Sequence, residues 1–333
     1  MFRRCASLLL LSCSLLLCAP TASAVSTGTD TPPAAAVEIP SPVRQLELLG
    51  TAELDWPCGV PFEDPGFIAR GADGEDRTAA VTVEGAPVPW RVGDYTITYL
   101  YSENDGDIAA ARRVVHVKAQ ELPDMVQPPP GTICLTFDDG PCEYTQRCLE
   151  ILAKHNVRAT FFIVANQTKY LDLLPKILEG GHTLGIHCYD HGSYDMLYRD
   201  EEHYFTDFLR AQKIVHDYTG QYAQVVRFPG GSRTASYLTG TLKGGYQELY
   251  GILHDMGVRP YDWNVQPESG TKTVEGTITD FTHPHGRYEY AVVLQHDARR
   301  FSVEALDQML TWAEAEGYTF AALDTSFPEV LFN

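Results

Sequence analysis

From residue 131 onward, short apolar runs alternate with longer stretches in which apolar residues recur with the period of a helix. Apolar runs of about four to eight residues bounded by turn residues are typical of buried strands, and the 3.6-residue period is typical of amphipathic helices. Strands that alternate with helices predict a largely parallel sheet, either open or closed into a barrel. The predicted strands are 131–135, 159–164, 183–186, 225–228 and 292–294, and the predicted helices are 147–154, 173–179, 201–218, 245–256 and 303–316.

An earlier part of the chain, residues 43–118, alternates apolar and polar positions with a period of two between turn sequences rich in Asp and Gly. This pattern predicts a small antiparallel β-sandwich. Tyr or Ile occupies every second position of 95–101, and we expect this aromatic face to be core rather than a platform for sugars.

Three further segments have the composition of processing signals or spacers. Residues 1–24 join two arginines, an apolar run and an Ala-Ser-Ala site, which predicts a secretory signal peptide cleaved after Ala24, with a retained membrane anchor as the alternative. Residues 25–42 are rich in Ser, Thr, Pro and Ala and predict a flexible linker. Residues 119–130 end in three prolines and predict a stiff linker, so residues 131–333 would form a second domain.

Charge and cysteine content narrow the possible partners. The chain has 44 acidic and 25 basic residues and a formal net charge of −19, which argues against a nucleic-acid partner. Five cysteines remain beyond the predicted signal peptide, an odd number that implies no complete disulfide framework. Cys142 and Cys148 could form a bridge or remain free thiols. We favour a monomer whose partner is its substrate.

Ionisable side chains gather at the ends of the predicted strands, where parallel sheets place their sites. Asp138 and Asp139 follow the first strand, in the sequence TFDDGP. Adjacent carboxylates raise each other's pKa unless a cation separates their roles, although a solvated Asp-Asp-Gly turn is the simpler interpretation. His187 and His191 are four residues apart, so on a helical turn both would face one metal ion. The other polar or aromatic residues at predicted strand ends are Arg227, Asp262, Trp263, His296 and Asp297.

Two other candidate sites are weaker. His283 and His285 flank Pro284 in a segment that predicts a loop. Ser232 lacks the flanking residues of a hydrolase nucleophile elbow.

Taken in order, five motifs resemble the polysaccharide deacetylase family, also called the NodB homology family or carbohydrate esterase family 4. The resemblance covers residues 131–333 and implies a distorted (β/α) barrel that removes acetyl groups from amino sugars of cell-wall polysaccharides. Residues 43–118 resemble the immunoglobulin-like repeats of bacterial surface proteins. The five motifs are TFDDGP (136–141), HCYDH (187–191), RFPGG (227–231), DW (262–263) and LQH (294–296).

The resemblance assigns the chemical roles. Asp139, His187 and His191 would bind Zn²⁺, or alternatively Co²⁺, Ni²⁺ or Mn²⁺. Asp138 would be the general base that activates the attacking water, and His296 would be the general acid that protonates the leaving amine.

Five further residues would support these groups. Arg227 would orient Asp138, and Asp262 would be the carboxylate partner of His296. The backbone N–H of Gly230 would stabilise the oxyanion, while Trp263 and Leu294 would line the acetyl pocket.

The sequence departs from the family pattern at three positions. Cys188 stands where Ser or Thr is usual, Gly230 replaces the usual Tyr after Pro229, and Arg259 replaces a common Asp. Because ligands, base and acid are all present, the resemblance implies an active N-deacetylase whose leading substrate is peptidoglycan N-acetylglucosamine. Chitin-type or other acetylated polysaccharides are alternative substrates, and a non-catalytic wall-binding protein is the alternative of another class.

Overall fold

A computed structural model describes residues 45–102, 108–238, 245–270, 272–283 and 288–332. The predicted signal peptide and the linker at 25–42 lie outside these residues. No helix within the described ranges combines the length and the apolarity that a membrane crossing needs.

The N-terminal β region has two sheets. One contains four strands in the order β2-β6-β5-β4, and the other pairs β1 with β3. The pairing of β2 with β6 is parallel, whereas the sequence predicted an antiparallel sandwich. Ile97, Tyr99 and Tyr101 are at most 3% exposed, which confirms that this aromatic face is core. The strands are β1 (Gln45–Leu48), β2 (Glu53–Pro57), β3 (Phe67–Arg70), β4 (Thr82–Glu84), β5 (Gly93–Ser102) and β6 (Ile108–Lys118).

The remaining strands form one seven-stranded parallel sheet that curls into a half-barrel. Its order is β11-β10-β9-β8-β7-β12, and β13 also pairs with β7. Strand β7 is buried along its whole length, as the continuous apolar pattern of a central parallel strand predicts. These strands are β7 (Thr132–Asp138), β8 (Thr160–Val164), β9 (Thr183–Cys188), β10 (Val225–Val226), β11 (Arg259–Pro260), β12 (Tyr290–His296) and β13 (Thr319–Phe320).

Eight described helices accompany this sheet. The longest, α4, begins at the side chain of Asp200, which accepts a hydrogen bond from His203 N at 2.8 Å, and it ends at Gly220 with φ 72°. The helices are α1 (Thr145–Lys154), α2 (Leu174–Glu179), α3 (Tyr194–Leu197), α4 (Glu201–Thr219), α5 (Gly231–Leu238), α6 (Gly245–Asp255), α7 (Val274–Thr282) and α8 (Arg300–Ala315).

The five predicted helices are present, with each boundary within three residues of its prediction. Helices α3, α5 and α7 were not predicted because they are short or rich in Gly, Ser and Thr, which weakens the apolar period. The two-residue strands β11 and β13 are likewise too short to show a pattern.

The β region packs on the half-barrel at the start of α4. The ring of Trp90 stacks on Phe205 with centroids 6.0 Å apart, and its Nε1 donates to the Glu201 carboxylate at 2.6 Å. Arg91 pairs with Glu201 and with Glu248 of α6. These contacts fix the first turn of α4, which directly follows the loop and helix beside the candidate site.

Strand register places two candidate residues side by side. In the parallel pairing of β12 with β7, His296 lies opposite Asp138. Both residues end their strands, so their side chains emerge at the same carboxyl edge of the sheet.

Candidate active site

The turn after β7 directs its two carboxylates toward different partners. Asp138 is the last residue of the strand and is 3% exposed. Asp139 has a left-handed backbone with φ 72°, a conformation that Asp tolerates better than most residues, and its side chain is 33% exposed. The change of backbone direction leaves Asp138 facing Arg227 and Asp139 facing two histidines.

Asp139, His187 and His191 form a compact cluster. One ligand atom from each lies within 4.8 Å of the others. Asp139 Oδ1 is 3.7 Å from His187 Nε2 and 3.6 Å from His191 Nε2. A divalent ion bound at about 2.0–2.2 Å holds neighbouring N and O ligand atoms roughly 3–4 Å apart. The residues therefore fit one divalent ion, held by two imidazoles and one carboxylate.

The two histidines reach this cluster from a strand and a loop. His187 lies in β9, and the chain is not helical between it and His191, so the helical-turn geometry considered for their spacing is not the one used. Their ring centroids are 5.1 Å apart. The loop is held in place because the backbone N–H groups of Tyr189 and Asp190 donate to the Asp207 carboxylate at 2.6 and 3.0 Å.

His187 is prepared to act as a ligand. Its Nδ1 lies 2.8 Å from the carbonyl oxygen of Arg227, so Nδ1 carries the proton and Nε2 directs a lone pair toward Asp139. Burial lowers the pKa of His187, against the opposing effect of the Asp139 charge. The imidazole is therefore neutral, which metal ligation requires.

Arg227 organises the buried floor of the site. Its side chain is 0% exposed, and Nη1 donates to Asp138 Oδ1 at 2.9 Å. Nε and Nη2 donate to the carbonyl oxygens of Tyr261 and Asp262 at 2.9 and 2.8 Å. The guanidinium also lies 4.3 Å from the ring centre of Phe162. These contacts hold the guanidinium of Arg227 in one orientation.

Opposing influences act on the pKa of Asp138. Burial raises this pKa, while the positive charge and hydrogen bond of Arg227 and the nearby His296 act to lower it. The net direction is upward, as expected of a carboxyl group suited to accept a proton rather than to remain a permanent anion.

The carboxylate partner of His296 is Glu268 and not the predicted Asp262. His296 Nδ1 donates to Glu268 Oε2 at 2.8 Å, and the His296 backbone N–H donates to Oε1 at 3.1 Å. Arg299 Nη1 also donates to Oε2, at 2.7 Å. Glu268 reaches this position from the segment between Trp263 and α7, which carries no strand pattern and belongs to none of the five motifs.

Asp262 instead anchors backbone on the other side of Arg227. Its carboxylate accepts from the backbone N–H and the hydroxyl of Ser232, and from the backbone N–H of Phe332 at 2.8 Å. The ring of Phe332 meets Trp263 edge to face, with centroids 4.8 Å apart. Ser232 is thus part of this anchor, consistent with setting it aside as a nucleophile.

The remaining substrate-side candidates lie around the same edge. Leu294 lies two residues before His296 on β12, so both side chains emerge on one face of the strand. Gly230 is exposed, has φ 76° and immediately precedes α5. Cys188 follows His187 in β9, and its thiol packs into the hydrophobic core. All five cysteines of the described ranges are free thiols, so the bridge between Cys142 and Cys148 is not formed.

Asp297 is a buried neighbour of this site, and its position after a predicted strand was the only feature that the sequence indicated for it. Its carboxylate accepts from the Thr145 hydroxyl, and a side chain at Gly140 would collide with it. Burial raises the pKa of Asp297 to about 7, helped by the charges of Asp139 and Asp138. The residue braces the turn that carries the two aspartates. In the rival histidine pair, His283 caps the C-terminus of α7 and His285 lies outside the described residues.

The half-barrel places the cluster beside a buried carboxylate and a buried histidine. Such a group of ionisable side chains at the strand ends is typical of (β/α) proteins that carry out acid–base chemistry there. Comparison with known proteins identifies the family. Residues 125–249 match the polysaccharide deacetylase family, and residues 46–117 match the immunoglobulin-like domain of bacterial surface proteins. The chain belongs to the polysaccharide deacetylase family.

Several characterised proteins resemble this chain. The peptidoglycan-N-acetylglucosamine deacetylase PgdA of Listeria monocytogenes is 28% identical over 253 residues, covering 75% of this chain and 49% of that protein. The chain thus spans about half the length of this relative. The catalytic domain of a peptidoglycan N-acetylglucosamine deacetylase from Eubacterium rectale has a TM-score of 0.57 and 34% identity, covering 63% of this chain and 96% of that domain. A Bacillus cereus polysaccharide deacetylase has a TM-score of 0.51 and 25% identity, covering 58% and 92%.

Proposed function

We propose that this protein is a metal-dependent N-deacetylase that hydrolyses the acetamide of N-acetylglucosamine in peptidoglycan and releases acetate. One observation carries the proposal. Asp138 and His296 emerge from paired positions of adjacent strands, and the Asp139 carboxylate of the three-residue cluster lies 3.8 Å from His296 Nε2. A base, an acid and an ion site within reach of one carbonyl group are what amide hydrolysis requires.

The substrate and the location rest on the relatives. Relatives that share the family are named for peptidoglycan N-acetylglucosamine, and the immunoglobulin-like match is to bacterial surface proteins. We therefore propose that the protein acts outside the cytoplasm on the cell wall, with the β region as a spacer.

In the proposed mechanism Asp138 takes a proton from the attacking water. A divalent ion held by Asp139, His187 and His191, for which we propose Zn²⁺, would lower the pKa of water from about 15.7 toward about 7 and polarise the carbonyl. Arg227 occupies Asp138 Oδ1, so the proton goes to Oδ2. The hydrogen bond from Arg227 also keeps the carboxylate from rotating away.

His296 would deliver a proton from Nε2 to the leaving amine. Glu268 accepts from Nδ1 and so stabilises the imidazolium that precedes this transfer. Arg299 Nη2 lies 3.3 Å from Nε2, and protonation of Nε2 must displace this contact. On the substrate side, the N–H of Gly230 would donate to the oxyanion, and Trp263 and Leu294 would border the acetyl methyl group.

The proposal predicts acetate release from purified peptidoglycan that stops when a chelator removes the metal and returns with added Zn²⁺. Muropeptide mass spectrometry should show a loss of the acetyl mass from N-acetylglucosamine. Acetylated xylan and chitin oligomers serve as comparison substrates. Absence of metal-dependent acetate release from every acetylated glycan would refute the proposed deacetylase activity. Faster release from xylan or chitin would refute peptidoglycan as the preferred substrate.

Glu268→Gln should lower kcat by about 10–100-fold, because the amide neither stabilises the imidazolium nor reliably fixes the ring tautomer. Since the substitution preserves side-chain size and lies away from the three ion ligands, KM and Zn²⁺ affinity should change little. Steady-state kinetics of acetate release and zinc titration measure these effects. Glu304→Gln, at an exposed glutamate of α8 paired with Arg300, is the matched control. An unchanged kcat in Glu268→Gln would remove Glu268 from the mechanism.

A further inference from the structure

Gly230 has no side chain, and the ring of Tyr194 fills the space that a side chain would take. A β-carbon built on Gly230 would lie 3.0 Å from Tyr194 Cε2 and 2.9 Å from Thr234 Oγ1. Contacts this short mean that the Tyr194 ring already occupies the direction in which a side chain at position 230 would begin. An aromatic ring therefore borders Gly230 even though the chain lacks one at that position.

Tyr194 also contacts the ion cluster. Its ring meets the imidazole of His191 edge to face, with centroids 5.4 Å apart. The ring is half-buried and keeps an accessible side.

The position of the ring is fixed by the elements around it. Tyr194 begins helix α3, whose N-cap is the side chain of Ser193. At the other end of this short helix the buried Tyr198 donates from its hydroxyl to the carbonyl oxygen of Pro229 at 2.9 Å. This bond ties α3 to the residue before Gly230 and so holds the Tyr194 ring close to the predicted oxyanion donor.

The accessible side of the ring faces open space. Tyr194 lines a cavity of about 520 Å³ together with His191, Gly192, Asp195 and Leu238. Cavities of roughly 300–1,000 Å³ accommodate small ligands, and an aromatic face suits the apolar face of a pyranose ring. The cavity shares His191 with the cluster, so a sugar bound there would lie beside the proposed ion site.

We propose that Tyr194 is a substrate-binding residue, whose ring packs against the pyranose ring of the amino sugar undergoing deacetylation. This inference rests on the proposed function and assigns to Tyr194 the contact that a bulky residue after Pro229 would otherwise make. Gly230 is what allows α3 to bring the ring this close.

The test measures binding separately from turnover. The full chain carrying Asp138→Asn is loaded with Zn²⁺ and titrated calorimetrically with a β-1,4-linked tetramer of N-acetylglucosamine. Adding Tyr194→Ala should weaken tetramer binding roughly tenfold, and Tyr194→Phe should stay within about twofold, because the ring face and not the hydroxyl makes the contact. Tyr218→Ala, at a partly exposed tyrosine near the far end of α4, should leave binding unchanged.

The same variants without Asp138→Asn separate a binding role from a structural one. Tyr194→Ala should raise KM for the tetramer with a smaller change in kcat, and zinc titration should give an unaltered metal affinity. The inference would be overturned if adding Tyr194→Ala left the tetramer affinity of the Asp138→Asn chain unchanged, or lowered it only in proportion to lost zinc. In that case acetate release by the unsubstituted chain would still uphold the proposed function. Both the inference and the proposed function would be overturned if the Asp138→Asn chain did not bind the tetramer and the unsubstituted chain released no acetate.

Discussion

Asp138→Asn should reduce kcat for acetate release by about 10²–10⁴-fold and leave Zn²⁺ affinity nearly unchanged. The amide can still accept the hydrogen bond from Arg227 Nη1, which is 2.9 Å from Asp138 Oδ1, so the local structure should persist. What is lost is the ability to take a proton. Asp139→Asn should have the opposite outcome and weaken Zn²⁺ binding by more than about 100-fold, since Asp139 is the carboxylate of the cluster.

Zinc titration of both variants and kinetics at saturating zinc measure this asymmetry. Asp172→Asn, at an exposed carboxylate in the segment 168–173, controls for the change from acid to amide and should match the parent in both measurements. Equal loss of zinc in Asp138→Asn and Asp139→Asn would show that the two carboxylates share one role.

Arg227→Met should lower the free energy of unfolding by about 3–5 kcal/mol, because it leaves the Asp138 carboxylate buried without its cation. The guanidinium is 0% exposed and also satisfies the carbonyl oxygens of Tyr261 and Asp262. Urea unfolding followed by circular dichroism gives the free energy. Arg300→Met, which removes an exposed arginine paired with Glu304, should leave the urea midpoint unchanged.

A second variant separates the buried charge from the lost packing. Arg227→Met combined with Asp138→Leu should be less destabilised than the sum of the two single changes, because no carboxylate is then left uncompensated. Strict additivity, or a cost for Arg227→Met below about 1 kcal/mol, would contradict the assignment of Arg227 as the buried partner of Asp138.

The sequence predicted those features that repeat along the chain. Buried strands and long amphipathic helices carry a period, so β7, β9, β12 and α4 could be located, and with them the residues at the strand ends. That placement grouped His187 and His191 with one of the two aspartates, and the family resemblance identified Asp139 as the third member of the cluster. The loop conformation between the histidines was not predicted.

Contacts made by irregular segments could not be predicted in this way. Glu268 reaches His296 from a loop with no hydrophobic period, which meets β12 through a single bridge between Val265 and Val293. Asp262 was assigned to His296 by family resemblance, but its partner Phe332 lies 70 residues further along the chain. Tyr194 lies on a single helical turn, and its contact with Gly230 depends on how two loops pack. An acidic residue shortly after the Asp-Trp pair was the one sequence signal that could have indicated Glu268.

The close approach of Tyr194 to Gly230 also has an evolutionary consequence. A bulky residue at position 230 and a ring at position 194 compete for the same volume, so a lineage cannot acquire one without first losing or moving the other. Substitutions at these two positions should therefore be correlated during divergence, so that a bulky residue at one is accompanied by a smaller or displaced residue at the other. Descendants of such an exchange would keep an aromatic surface beside the cluster while changing which segment of the chain supplies it.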